Sequence, residues 1–361
     1  MTTSARRDRL RRLLVESGLA AVLVSDLVNV RYLSGFTGSN AALLVFADRE
    51  TPVLATDGRY RTQAAAQAPD AEVVIERACA PHLAARAAAD GVRRLGFESH
   101  VVTVDGFSRL TDAAGDGCEL VRAAGLVEQL REVKDADEVA RLRRACEAAD
   151  AALGELIEGG GLRAGRTEKQ VRNQLEALML DHGADGASFE TIVAAGANSA
   201  IPHHRPTDAV LAEGDFVKID FGALVAGYHS DMTRTFVLAP IADWQREIYD
   251  LVAEAQRAGR KALAPGVALK EVDAASRQVI ADAGYADNFA HGLGHGVGLQ
   301  IHEAPGINSA AAGTLLAGSA VTVEPGVYLP GRGGVRIEDT LVVAEDAPEL
   351  LTGFSKDLVI L

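Results

Sequence analysis

Cysteine is scarce in this chain, and its cysteines form no recognisable pattern. Cys79, Cys118 and Cys146 are odd in number and lie far apart in a sequence of 361 residues. They suggest neither a disulfide framework nor a zinc ribbon, because both need cysteines at paired spacings. A reducing compartment is the simplest setting, and we expect a cytoplasmic protein.

Long hydrophobic runs and clusters of basic residues are also missing. No stretch approaches the ~18–20 apolar residues that a membrane span requires. The apolar run 20–24 is interrupted by Ser25 and Asp26 before any cleavage-like site, which argues against a signal peptide. The formal net charge is −14, and a field of that sign repels nucleic acid and anionic membranes. We therefore expect neither kind of partner.

The residues that are present are sufficient for two globular domains. Hydrophobic residues make up 48% of the chain and charged residues 24%, which is ordinary for a protein with a sizeable core. Up to about residue 122, helical patterns alternate with apolar, β-favouring runs. The helical patterns lie near 5–17, 59–68, 80–90 and 105–114, and the β-favouring runs lie at 20–24, 41–46, 72–75, 94–97 and 119–121. This alternation predicts an α/β domain over residues 1–125.

From about residue 127 the order of elements changes. Asp135 with Glu138, and Thr167 with Gln170, have the spacing of capping boxes and predict the starts of two helices. Two helices followed by strands then occur twice, which predicts an internally duplicated α+β unit over residues 126–361. The predicted strands lie near 191–195, 215–222, 229–237, 320–325 and 334–343, and the later helices near 241–263 and 269–283.

Two strand-like runs around a short turn carry the first pair of acidic residues. Asp220 and Asp231 are eleven positions apart, so a hairpin centred between Val225 and Ala226 would set them directly opposite. Side chains paired in this way lie about 4.5–5.5 Å apart, and two carboxylates held so close share either a proton or a cation. On this segment alone an alternative stays open, in which a slipped register leaves both aspartates solvated at strand ends.

A second acidic pair lies towards the C-terminal end. Glu324 and Glu338 are fourteen positions apart, and an odd-length turn centred on Gly331 would set them opposite each other. Each acidic residue lies in an apolar, β-branched run, where a buried carboxylate without a partner is costly. Four carboxylates converging on one site would require compensating positive charge.

Histidines cluster beside these acidic strands. Five of the nine histidines lie in segments punctuated by glycine or proline: His203, His204, His291, His295 and His302. The i, i+4 spacing of His291 and His295 is also found in helical zinc sites, but the intervening glycines argue against a helix. Glycines in such a segment allow the backbone to approach a ligand or a packed strand closely.

The donor set is rich in oxygen and includes imidazole, which suits a pair of hard or borderline divalent ions. Mn²⁺ fits this ligand chemistry best, and Co²⁺ or Zn²⁺ are less favoured. Two metal ions about 3.5–4 Å apart can polarise a carbonyl group and activate water. The acidic pairs and the histidines therefore indicate a two-metal hydrolase.

These residues, in this order, resemble the metal-dependent "pita-bread" peptidase family, which includes methionine aminopeptidase, aminopeptidase P and prolidase. The likeness covers essentially all of residues 127–361. The matching stretches are 188–193, 198–203, 220–222, 230–235, 291–298, 302–303, 323–326 and 336–340. The resemblance implies a pita-bread catalytic domain with an internal pseudo-twofold duplication.

The first half of the chain is similar to the smaller domain that precedes the catalytic domain in proline-specific members. The stretches 32–40 and 56–60 carry that likeness. Methionine aminopeptidases usually lack such a domain, so the resemblance implies a peptide substrate with proline at its second position. It leaves open whether the protein is an Xaa-Pro dipeptidase or an Xaa-Pro aminopeptidase. Proline-specific relatives are commonly dimers, and we expect a homodimer.

The resemblance also implies a role for each motif residue. Asp220 is expected to bind one metal ion and His295 with Glu324 the other, while Asp231 and Glu338 bridge the two ions.

Further roles concern the substrate. The resemblance implies that His203 and His302 line the substrate site and stabilise the oxyanion, and that Glu324 carries a proton to the leaving nitrogen. His291 and Arg336 are expected as supporting groups, with Arg336 on the same strand face as one bridging carboxylate.

Two alternatives remain beside a proline-directed peptidase. Some members of this fold are non-catalytic binding modules, generally after losing metal ligands. Creatinase-like enzymes hydrolyse a different C–N bond and share both domains, but they lack the metal-ligand set that is complete here.

Overall fold

The computed structural model describes residues 2–361, which form two compact units. The first unit runs to Arg131 and the second from Glu132 to Leu361. The boundary expected from the sequence lay after residue 125, just before the short helix Leu126–Glu132. That helix has Val127 and Leu130 buried, and nearly all of it belongs to the first unit.

Helices and strands alternate through most of the first unit, whereas the second unit has pairs of helices followed by runs of strands. The α-helices are α1 (Thr3–Glu16), α2 (Leu27–Ser34), α3 (Arg61–Gln67), α4 (Cys79–Ala89), α5 (Val104–Ala114), α6 (Leu126–Glu132), α7 (Ala136–Glu158), α8 (Glu168–Asp181), α9 (Asp243–Lys261) and α10 (Leu269–Asp282). The strands are β1 (Ala21–Val24), β2 (Ala41–Phe46), β3 (Val53–Thr56), β4 (Glu72–Ile75), β5 (Arg94–Phe97), β6 (Glu119–Arg122), β7 (Gly186–Ala187), β8 (Ile192–Ala195), β9 (Phe216–Phe221), β10 (Ala223–Val225), β11 (Tyr228–His229), β12 (Met232–Val237), β13 (Gly294–Gly296), β14 (Glu303–Ile307), β15 (Ala320–Val323), β16 (Gly326–Leu329), β17 (Gly333–Arg336), β18 (Asp339–Val342) and β19 (Glu349–Leu350).

The first unit is built on a six-stranded mixed sheet with the order β4-β3-β2-β1-β5-β6. The predicted α/β class is confirmed, and the five predicted β-favouring runs are all strands. Strand β3 and helix α2 were not predicted. Helix α2 is short and contains β-branched valines, which lower its helix propensity. Its start is set locally, since the Asp26 carboxylate accepts hydrogen bonds from the N–H groups of Val28 and Asn29.

The second unit begins with the two predicted helices. Asp135 with Glu138 and Thr167 with Gln170 both form capping boxes, at the starts of α7 and α8. Two antiparallel three-stranded sheets follow, with the orders β12-β9-β8 and β11-β10-β7. Helices α7 and α8 share a buried hydrophobic cluster with β8, β9 and β12.

The second half of this unit repeats the arrangement. Helices α9 and α10 are followed by the sheet β14-β13-β15-β18-β19 and the hairpin β16–β17. These elements enclose a second hydrophobic cluster. The predicted duplication of two helices followed by strands is confirmed, and the strands of both halves meet at the site described below.

Two predicted strands are divided in the structure. The run 229–237 forms β11 and β12, which lie in different sheets. The run 334–343 was expected to be continuous, but it forms β17 and β18, which lie in different sheets. The chain changes sheets at Ile337 and Glu338, and this change directs the Glu338 side chain between the sheets. Within residues 2–361, no helix is both long enough and apolar enough to cross a membrane.

Candidate metal centre

The first acidic pair lies on a hairpin whose register differs from the prediction. Asp220 in β9 is opposite Thr233 in β12, not opposite Asp231. The turn is centred between Ala226 and Gly227, whose φ angles of 50° and 79° are those of a tight hairpin turn with two left-handed residues. The prediction of directly opposed aspartates is therefore wrong by two positions.

This slip does not separate the two carboxylates. Side chains alternate between faces with a period of two, so a two-residue slip keeps both on the same face of the hairpin. Asp220 is 8% exposed and Asp231 is 4% exposed. The alternative of solvated aspartates at strand ends is thus also wrong.

The second acidic pair has the predicted register. Gly326 pairs with Arg336 in the β16–β17 hairpin, and Val323 pairs with Asp339 in β15–β18. Both ladders have the same register, so Glu324 and Glu338 face each other where the chains pass from one sheet to the other. The turn is centred on residue 331, as the spacing predicted.

His295 lies in the short strand β13, beside these carboxylates. Its Nε2 atom is 3.5 Å from an Asp231 oxygen and 3.4 Å from a Glu324 oxygen. Its Nδ1 atom is 3.0 Å from the carbonyl oxygen of Gly296. A carbonyl only accepts, so the proton is assigned to Nδ1, and the Nε2 lone pair points at the carboxylates.

Glycines allow this strand to pack so tightly. A Cβ atom at Gly294 would lie 2.0 Å from the Thr322 carbonyl oxygen, and one at Gly296 would lie 2.0 Å from the Ala304 carbonyl oxygen. The expectation that these glycines permit close backbone approach is confirmed, and the segment is a strand and not a helix.

The ligand atoms of this cluster are arranged to bind divalent cations and not to form hydrogen bonds with one another. Asp231, His295 and Glu338 each offer an atom within 4.8 Å of the others. Asp220 Oδ1 and Glu338 Oε1 are buried without a hydrogen-bond partner. Lone pairs and carboxylates that face one another need a positive charge between them, and carboxylate oxygens with imidazole nitrogen are the donors that Mn²⁺ and Zn²⁺ accept.

Burial and mutual repulsion perturb the titration of this cluster. Burial, together with the neighbouring carboxyls, raises the pKa of Asp231 and of Glu338 well above the ordinary range. Burial raises the pKa of Glu324 to about 8 and lowers the pKa of His295 to about 4. The imidazole is thus neutral at pH 7, as a metal ligand must be.

Arg336 is a fully buried guanidinium beside the cluster. It donates hydrogen bonds to Asp220 Oδ2, to the Tyr328 hydroxyl (2.8 Å) and to the Thr233 hydroxyl (3.0 Å). Thr233 in turn donates to Glu338 Oε2 at 2.7 Å. Arg336 therefore supports Asp220 directly and reaches Glu338 only through Thr233.

A cavity of about 270 Å³ opens onto these groups. Its lining comprises Phe189, Glu190, Ile192, His203, His204, Arg205, Asp220, Asp231, His295, Ile301, His302, Glu324 and Glu338. His203 and His302 are both in this lining, and the His302 ring lies 4.4 Å from that of His295 between ring centroids. Partial burial lowers the pKa of His203, which leaves its imidazole neutral at pH 7.

Lys218 fixes the chain segment that carries His203. This lysine is fully buried, and its ammonium donates to the carbonyl oxygens of Ser199 (3.1 Å), Ile201 (2.7 Å) and Pro202 (3.3 Å). Three carbonyl groups that converge on one cation hold the segment in a single conformation.

His291 lies outside the cavity lining. Its Nδ1 atom is 2.8 Å from the Gly292 carbonyl oxygen, so its Nε2 atom accepts from the Tyr328 hydroxyl at 2.8 Å. Burial lowers the pKa of His291 to about 3. It belongs to a buried hydrogen-bond chain that runs from Arg336 through Tyr328, and its supporting role stays a prediction.

His204 lines the cavity wall, but its ring is engaged elsewhere. Its Nε2 atom lies 2.8 Å from Glu168 Oε2, and both residues are buried. Thr233, Tyr328 and Lys218 were missed by the sequence analysis. Of these three, only Thr233 could have been identified from the sequence, because it lies two positions after Asp231 and therefore shares its strand face.

The fold and the site define a metallopeptidase. Residues 140–345 match the metallopeptidase family M24, and residues 6–133 match the creatinase/prolidase N-terminal domain. The chain therefore belongs to metallopeptidase family M24, and the resemblance seen in the sequence is confirmed. Membership of this family implies divalent metal ions.

Similar proteins include curated and structurally solved relatives. A Pyrococcus furiosus Xaa-Pro dipeptidase is 42% identical over 241 residues, which are 67% of this chain and 69% of the relative. The structure of an Xaa-Pro dipeptidase from Bacillus anthracis superposes with a TM-score of 0.95 at 38% identity, covering 100% of both chains. An X-Pro aminopeptidase from Thermotoga maritima has a TM-score of 0.88 at 34% identity, covering 98% of this chain and 100% of its own.

The raised pKa values predict a pH-dependent response to metal. In the metal-free fold the protonated form of Glu324 is favoured. Its contribution to stability is complete at pH values below the ordinary pKa of a glutamate, and it is lost as pH rises through about 8. Metal ions require the ionised form, so protons compete with them at low pH. We expect Mn²⁺ to raise the melting temperature more at about pH 8.5 than at about pH 6. Thermal unfolding with Mn²⁺ or with chelator at both pH values measures this, and equal increments at the two pH values would contradict it.

Proposed function

We propose that this protein hydrolyses the peptide bond between an N-terminal residue and proline, using two divalent metal ions. The observation that carries the proposal is the convergence of five donor side chains on one cavity of an M24 chain. In this proposal Asp220 would hold one ion, His295 and Glu324 would hold the other, and Asp231 and Glu338 would be shared by both. Relatives named Xaa-Pro dipeptidase and X-Pro aminopeptidase support the choice of bond.

The metal ions, when bound, polarise the scissile carbonyl and activate water. Mn²⁺ is the proposed metal on ligand chemistry, with Co²⁺ and Zn²⁺ as the alternatives. Orientation of the substrate, stabilisation of the developing charge and proton transfer are assigned to side chains of the protein. His203 and His302, which both line the cavity, orient the carbonyl oxygen and donate to the charge that develops on it. Glu324 lines the cavity and carries a proton from the attacking water to the departing proline nitrogen.

The direct test is hydrolysis of an Xaa-Pro dipeptide with and without metal. We expect the chelated, dialysed protein to lose activity and to regain it with Mn²⁺, because in this proposal the metal ions polarise the carbonyl group and activate water. Ala-Pro and Ala-Ala are suitable matched substrates, with cleavage expected for Ala-Pro. Activity that survives complete metal removal, verified by elemental analysis, would contradict the proposal. No bound metal after reconstitution would instead favour a non-catalytic module.

Two further features remain proposals. The protein is proposed to act as a homodimer, which light scattering of the metal-loaded protein tests. Whether it prefers dipeptides or longer peptides is decided by comparing Ala-Pro with Ala-Pro-Ala.

A further inference from the structure

The cavity carries one ion pair that the metal-binding set does not use. Arg205 Nε lies 3.1 Å from Glu190 Oε2, and both residues line the cavity. Their side chains are 83% and 53% exposed, so the pair lies at the cavity mouth and not within its wall. An exposed pair of this kind contributes little to stability, and its guanidinium is free to exchange partners.

Arg205 is the one arginine or lysine among the described residues that line the cavity. The remaining ionisable side chains of the lining are carboxyls and imidazoles. Partial burial lowers the pKa of His203, which disfavours a charge on that imidazole. A substrate carboxylate that enters this cavity therefore has a single permanent positive charge of the protein to meet.

The backbone on both sides of Arg205 is fixed. Before it, the Pro202 carbonyl oxygen accepts hydrogen bonds from Lys218 and Arg336, at 3.3 and 3.1 Å. After it, the Thr207 N–H donates to buried Glu168 at 2.8 Å. The backbone at Arg205 is therefore rigid, and only side-chain rotation moves the guanidinium, which keeps it at the cavity mouth.

Substrate length decides what this guanidinium meets. In an Xaa-Pro dipeptide the free carboxylate belongs to the residue directly after the scissile bond. In a longer peptide the same place is taken by a neutral amide. Guanidinium binds carboxylate through paired, charge-assisted hydrogen bonds, which it cannot make with an amide.

We propose that Arg205 binds the C-terminal carboxylate of Xaa-Pro dipeptides, and that Glu190 competes for its guanidinium when the site is free. This rests on the proposed function, and it makes Arg205 the residue that favours dipeptides over longer or amidated substrates. Because the two partners compete, their removal has opposite effects on dipeptide binding.

The test compares Ala-Pro with the amidated dipeptide Ala-Pro-NH₂ on the Mn²⁺-loaded protein. The quantity measured is the ratio of kcat/KM for the acid to that for the amide. Arg205→Met is expected to lower this ratio about tenfold, chiefly through a higher KM for the acid. Glu190→Gln is expected to raise the ratio about threefold, since an exposed ion pair is weak. Arg205→Lys should recover part of the loss.

Several outcomes separate this inference from its alternatives. An unchanged ratio in Arg205→Met, or a lowered ratio in Glu190→Gln, would overturn it, because a purely structural ion pair loses the same function from either side. Thermal unfolding of both variants shows whether they fold. A native protein that cleaves neither substrate with metal present would refute the proposed function instead.

Discussion

Replacing Glu338 with Gln is expected to abolish turnover while leaving the metal-free protein at least as stable as the native one. Glu338 is 1% exposed, its Oε2 accepts from Thr233, and its Oε1 is buried without a partner. An amide keeps the Thr233 contact but cannot bridge two cations. Loss of the shared ligand is expected to lower kcat/KM by at least about 1,000-fold, or ~4 kcal/mol of barrier.

The stability half of this prediction follows from the raised pKa of Glu338. Burial and neighbouring carboxyls raise the pKa of this group well above its ordinary value and so favour its protonated form, whose shape Gln has. The Mn²⁺-induced rise in melting temperature should therefore disappear, without any loss of stability in chelator. Glu345→Gln, at an exposed position on the same unit, is the matched control and should behave as the native protein. Near-normal activity in Glu338→Gln would refute the bridging role.

Local sequence signals predicted the elements that hold the site. Capping boxes fixed the starts of α7 and α8, and strand-like runs on either side of a short turn located β9 and β12. The spacing of Glu324 and Glu338 around Gly331 predicted their register correctly, since the turn there is symmetric.

The register of the aspartate hairpin could not be predicted in the same way. Spacing alone does not locate the turn, and here Ala226 takes a left-handed conformation with φ of 50°, which non-glycine residues rarely adopt. The turn therefore moved by one residue and the pairing by two. The functional inference survived because a two-residue slip preserves the face on which both carboxylates lie.

What the sequence did not show is the set of contacts between the two halves of the catalytic unit. Thr233, in the first half, contacts Glu338 and Arg336, which lie 105 and 103 positions away in the second half. Within the second half, Tyr328 connects Arg336 to His291. These hydrogen-bond partners are determined by the packing of one sheet against another, and neither the periodicity nor the spacing of residues in the sequence predicts that packing. The glutamates lie where the chain changes sheets, so the site is formed by tertiary packing of locally predictable strands.

This packing makes Arg336→Met the substitution with the largest expected effect on stability. The guanidinium has four hydrogen-bond partners: Asp220, Thr233, Tyr328 and the Pro202 carbonyl oxygen. Methionine has a similar length but leaves all four without their donor in a buried site. Removing one member of a buried charge pair costs about 3–5 kcal/mol. We expect a loss of that size in urea unfolding of the protein in chelator, where Arg336 is the cation that faces Asp220.

The matched control lies on the same hairpin. Arg332 is exposed, with its guanidinium 4.2 Å from the centre of the Trp244 ring, and Arg332→Met should cost less than about 1 kcal/mol. The two variants lose the same charge, so a difference between them measures burial and hydrogen bonding. Equal losses would show that the buried guanidinium holds the site together no more than a surface charge does. A large loss confined to Arg336→Met, and reduced by Mn²⁺, would show that metal ions and this arginine stabilise the same carboxylates.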